Sequence, residues 1–92
     1  MLQIYIISLE NHIQNCKDAL TDKNSKNLQS SAHDLKSLAY TVGANDPGQR
    51  AETIEAALMS GDETTAFNAA PQLILMIEDI IRVMKEMQQS DF

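Results

Sequence analysis

Apolar residues recur at Leu2, Ile6, Leu9, Ile13, Cys16 and Leu20, and these alternating spacings of four and three lay one stripe along a helix of about five turns. The polar cluster Thr21-Asp22-Lys23-Asn24-Ser25 interrupts it, because such side chains compete for backbone hydrogen bonds and favour turns and caps. A second helix is predicted from about Ser25 to Val42, with Leu28, Leu35, Leu38, Ala39 and Val42 on one side. It stops at Gly43, the residue best suited to a left-handed C-terminal cap. In the stretch Asn45-Asp46-Pro47-Gly48, Asn45 or Asp46 is the expected N-cap, with Pro47 at the first helical position, where its missing donor costs nothing. A third, shorter helix should run from there to about Met59. Ser60-Gly61-Asp62 reads as a turn ending in another cap. The fourth helix carries Ala70, Leu73, Ile77, Ile80, Met84 and Met87, with Phe67, Ile74 and Ile81 widening its face. Pro71 lies inside it, where it removes a hydrogen bond and clashes with the preceding turn, so a kink or a break is expected there.

Four amphipathic helices joined by short connections predict an all-α fold, an antiparallel up-and-down four-helix bundle. Composition agrees: three glycines, two prolines and no tryptophan leave long segments rich in helix-favouring residues. At 92 residues the chain makes one small domain, 1–92, with one economical core and no linker or internal repeat. A monomer is expected. The first helix begins without a cap or lead-in, which suggests a fragment of a longer protein, a C-terminal one.

Charge narrows the partners. A formal net charge of -6 and only seven Lys and Arg supply no cationic stripe, so nucleic acid is set aside. The longest apolar runs, such as Leu73 to Ile77, fall far short of the roughly 18 to 20 residues that span a bilayer, so this segment is not expected to insert into a membrane, and its start does not resemble a cleavable signal. Cys16 is alone, so no internal disulfide forms and a reducing, cytoplasmic setting is expected.

The remaining chemistry centres on one histidine. At about 100° per residue, Leu28, Leu35, Ala39 and Val42 lie within about 40° of one direction, and His33 falls about 160° away. Its companions there are Lys26, Gln29, Ser30, Ser37 and Tyr40, with Lys36 nearer the flank. His33 is therefore expected to face solvent. A metal site would need two or three converging ligands; Asp34 projects about 100° away, and His12 and Cys16 belong to another helix, so zinc has little support. His12 is expected to pack at a helix boundary. A nucleophile is better supported: an imidazole titrates near about 6.5, so much of it is neutral and reactive near neutral pH. Lys36, one turn on, is placed to attract a phosphoryl group on the ring, and Ser37 keeps the space above it open. No phosphate loop, paired acid/base carboxylates or Ser-His-Asp set competes.

The stretch Ala32-His33-Asp34-Leu35-Lys36, with Gly43-Ala44 following and Ile54-Glu55 on the next helix, resembles the signature of histidine phosphotransfer (HPt) domains. That resemblance extends over essentially the whole chain and implies that His33 is the phospho-accepting residue, that Lys36 interacts with the phosphoryl group and that Glu55 borders the site. It implies reversible transfer between His33 and an aspartate of a response-regulator receiver domain, which supplies the Mg²⁺, so the chain itself is expected to need no cofactor. It further implies a phosphoryl carrier, not an enzyme, free or at the cytoplasmic end of a hybrid sensor kinase. The expected docking face comprises Gln29, Ser30, Ser37, Tyr40 and Ala44, with Lys26 at its edge. Two departures stand out: Ser37 replaces the usual glycine, and Pro47 replaces a leucine, which should cost one apolar contact. The alternative is an interaction module that docks a receiver or a partner helix without being phosphorylated.

Overall fold

The computed structural model describes residues 2–89, apart from the side chains of Leu2 and Gln89. Four helices follow in order: α1 (Leu2–Asp22), α2 (Ser25–Thr41), α3 (Asn45–Met59) and α4 (Glu63–Gln89). Each packs against its neighbours in sequence, and α4 closes the ring against α1. Direction is set by the cross-links. Lys17 Nζ donates to Glu78 Oε2 at 2.8 Å and Lys85 Nζ to Glu10 Oε2 at 2.9 Å, so numbers fall along α1 as they rise along α4, as antiparallel neighbours require. The all-α, up-and-down bundle is thus the observed architecture.

The core-facing stripes are those of the heptad-like spacing. Ile6, Leu9, Ile13 and Cys16 of α1 meet Leu28, Leu35 and Ala39 of α2, Ile54 of α3, and Leu73, Ile77 and Met84 of α4. Small residues fill the layers between them: Ala19, Ala32, Ala51, Ala66 and Ala70 are fully or almost fully buried. Leu20, Leu38, Val42, Phe67 and Ile80, expected in the core, are only partly buried against it, and Met87, placed on the α4 stripe, is 53% exposed near the end of the helix, beyond the reach of the core. Burial raises the thiol of Cys16 to about 11, which makes it a packing group rather than a reactive one.

All three turns close in the same way. Just past the end of each of α1, α2 and α3 a residue adopts positive φ, at Lys23 (53°), Gly43 (80°) and Gly61 (85°). The next amide then reaches back over the last turn: Asn24 N to Ala19 O at 2.9 Å, Ala44 N to Ala39 O at 2.8 Å and Asp62 N to Ala57 O at 2.8 Å. Asn24 caps α2, its side chain accepting from Asn27 N at 3.1 Å, and Asp62 accepts from Thr65 N at 3.1 Å at the start of α4.

Two expectations are corrected. The third helix starts at Asn45, with Ala44 at its cap and no side-chain cap bond, so neither Asn45 nor Asp46 is the N-cap and Pro47 is the third helical residue, not the first. The closure of α2 holds Ala44 so tightly that α3 begins at once. Pro47 still costs nothing, since the first four amides of a helix lack intrahelical partners, and it is buried, so its turn keeps an apolar contact. In addition, of the kink or break expected at Pro71 the break does not occur: α4 runs through it as one helix. Pro71 is exposed, and on that side water can take up the carbonyl it leaves unpaired.

Candidate functional site

His33 lies opposite the core stripe, as the helical wheel predicts: its side chain is 60% exposed, on the outer face of α2. Across the groove α3 contributes Glu55, only 15% exposed, whose two carboxylate oxygens are divided between two partners of α2. His33 Nδ1 lies 2.7 Å from Glu55 Oε2, and Lys36 Nζ donates to Glu55 Oε1 at 2.8 Å. Both α2 groups lie one turn apart on one helix, so a single carboxylate can span them.

The electrostatics fix the proton. The hydrogen bond from Lys36 holds the Glu55 carboxyl below its ordinary 4.5; burial opposes this, and the contact with His33 adds to it. In return the Glu55 hydrogen bond pushes the Lys36 ammonium above its usual 10.5, against the effect of burial and with help from Glu52 and Tyr40. An ionised carboxylate only accepts, so the proton of a neutral His33 ring sits on Nδ1. Nε2 then carries the lone pair, and it makes no hydrogen bond to the described residues. The arrangement is that of a nucleophilic ring nitrogen presented outward by a braced imidazole.

The surrounding residues separate into two sides. Tyr40, 39% exposed, lies toward α3 over Gly48, and half-buried Gln29 shares that side of α2. Ser30 instead lines a polar cleft between α1 and α2 with Asn15, Asp18, Asp22, Asn27 and Ser31. Ser37 is exposed one turn beyond His33, and Lys26 is exposed near the start of α2. Ala44 is half-buried against the core at the α2–α3 turn and offers less surface than its place on the wheel suggested. His12 sits half-buried between α1 and α2, with Nδ1 3.6 Å from Asp34 Oδ2 and without a hydrogen bond. Among the described residues no three His, Cys, Asp or Glu cluster as metal ligands. Sequence reasoning placed Glu55 only at the border of the site and missed Gly48. Both were within reach of one signal: folding the two helices back about Gly43–Asn45 sets residue 33 against 55 and residue 40 against 48.

Four helices around one core, with an exposed imidazole braced on a helix face, define the class: an all-α four-helix bundle that presents a histidine to solvent. Within that class the chain belongs to the Hpt domain family, whose model matches residues 1–83. Membership brings a phosphotransfer role in two-component phosphorelay and interaction with response-regulator receiver domains. Domains of this family are phosphocarriers rather than enzymes. No curated protein and no solved structure gave a significant match. No helix among the described residues is long and apolar enough to cross a membrane.

Proposed function

We propose that His33 is the residue that carries the phosphoryl group, exchanging it with the aspartate of a receiver domain. The observation behind this reading is the division of the Glu55 carboxylate between His33 Nδ1 and Lys36 Nζ, which leaves Nε2 as the free nucleophile. In the forward step the Nε2 lone pair attacks the phosphorus of the aspartyl phosphate, an N–P bond forms, the P–O bond breaks and the aspartate leaves as carboxylate. No proton must move: the Nδ1 proton stays on the ring, and the positive charge that develops there faces Glu55. Lys36 has three donors and spends one on Glu55, so it retains capacity for a phosphoryl oxygen. Ser37, small and exposed, lets the receiver approach. The Mg²⁺ and acidic pocket of the reaction belong to the receiver, and the chain acts as a single monomeric carrier domain, 1–92, in the cytoplasm.

The test is incubation with a phosphorylated receiver followed by detection of acid-labile, base-stable phosphate on the chain. The parent protein should become labelled. His33→Gln should accept none while melting close to the parent, because an exposed position contributes little packing. Labelling of the Gln variant would place the acceptor elsewhere, and a large drop in its melting temperature would contradict the exposed position of the ring.

A further inference from the structure

Gly43 and Gly61 answer a backbone demand, since both have positive φ, but Gly48 lies in the first turn of α3 with ordinary helical φ. What requires glycine there is space. A Cβ at position 48 would lie 2.8 Å from Tyr40 Cε1 and 2.9 Å from Cζ, well inside the ~3.5–4.0 Å at which carbon atoms pack. The missing Cβ is a notch, and the Tyr40 ring lies in it. The ring is still 39% exposed, so one part rests on α3 while the rest faces outward. Tyr40 follows His33 by seven residues, two turns and roughly 10 Å along the same helix, which is well within the ~800 Å² that one partner of a standard interface covers.

We infer that Tyr40 is a specificity-determining anchor for the receiver and that Gly48 is the positioning residue that seats it; the inference rests on the reading of His33 as the acceptor. A ring already clamped between two helices loses little freedom on binding, so its contact area is gained at low entropic cost. With a Cβ at position 48 the ring must swing out of the notch and stand across the face that the receiver approaches. The partner selected is a receiver with an apolar, slightly concave patch about 10 Å from its phosphoaspartate. One with a charged group there would leave that charge buried against the ring and be rejected.

The experiment compares two phosphodonors. Transfer from a phosphorylated receiver, followed over a range of receiver concentrations, separates apparent KM from the maximal rate. Phosphoramidate, which releases ammonia as Nε2 takes its phosphoryl group, loads the ring without any docking face. Gly48→Ala and Tyr40→Ala should each raise the apparent KM about tenfold and lower the receiver-to-phosphoramidate efficiency ratio by the same factor. The double variant should be no worse than Tyr40→Ala alone, because the added methyl then has no ring to displace, and Tyr40→Phe should restore the parental KM. An unchanged KM in Tyr40→Ala, or a Gly48→Ala effect equally large when Tyr40 is absent, overturns the anchor but leaves the acceptor assignment standing. Failure of the parent to load from phosphoramidate at His33 overturns both.

Discussion

Glu55 carries more of the site than its partly buried position on a neighbouring helix suggests. It orients the His33 ring, fixes which nitrogen holds the proton and keeps Lys36 beside the ring. Glu55→Gln preserves shape but leaves one accepting oxygen where the carboxylate had two, and its amide nitrogen only donates, so it cannot hold the Lys36 ammonium and the Nδ1–H of His33 together. Transfer to His33 should slow by about tenfold, the effect of some 1.4 kcal/mol on a barrier, as measured in a single turnover; an unchanged rate would remove Glu55 from the chemistry. The same residue sets a pH dependence. Its folded-state pKa lies below the ordinary 4.5, so the bridge contributes stability in full above that value and loses it as pH falls through the lower one. Lys36, whose pKa is raised, gives up its share only as pH climbs past 10.5. Melting temperatures of parent and Glu55→Gln should therefore differ most near neutrality and converge in acid.

The helices are specified as much by their ends as by their stripes. Two of the three left-handed closures carry glycine, but α1 closes on Lys23, a side chain at φ 53°. A non-glycine residue there costs roughly 1–2 kcal/mol of backbone strain, partly offset by the smaller entropy it loses on folding. Lys23→Gly should therefore raise stability by about 0.5–1 kcal/mol, seen as a higher urea midpoint at unchanged slope. On α2 the two faces have separate jobs, with Leu35 fully buried and Ser37 exposed. Ser37→Leu should block transfer from a receiver sterically while leaving the melting temperature nearly unchanged, whereas Ser37→Gly should transfer as fast or faster. Normal transfer by the leucine variant would show that the receiver docks away from this turn.

Across the molecule, a ring of four helices gives one shared core with extents of 48 × 23 × 17 Å, and every helix depends on its neighbours to cover its stripe. The site inherits its rigidity from that core, since Leu35 and Ile54, both fully buried, flank the exposed His33 and the Glu55 that braces it. Leu35→Ala should cost about 2–5 kcal/mol through lost transfer energy and the cavity left behind. Because the core is single, the loss should appear as one cooperative calorimetric transition at lower temperature, not as local melting of α2. A separate early transition would mean that α2 and α3 form a subdomain of their own.

Periodicity, caps and composition are local properties, and they determined the all-α class, four helices with close to their observed limits, most of the core stripes of α1 and α4 though not the burial of Leu20, Ile80 or Met87, and the outward direction of His33. Those follow from helical geometry and from apolar burial, which each segment expresses alone. The start of α3 was misplaced because the closure of α2 onto Ala39 pins Ala44, a constraint that belongs to two helices at once. A kink or a break at Pro71 was expected because helix propensity weighs proline as if in isolation, whereas α4 continues through it without a break, held on both sides by the core contacts of Ala70 and Leu73. Only the tertiary structure decided that Glu55 joins His33 to Lys36 and that Gly48 receives the Tyr40 ring. Both pairings cross between helices, where the register of the α2–α3 hairpin, set by packing and not by either helix's own pattern, determines which side chains meet.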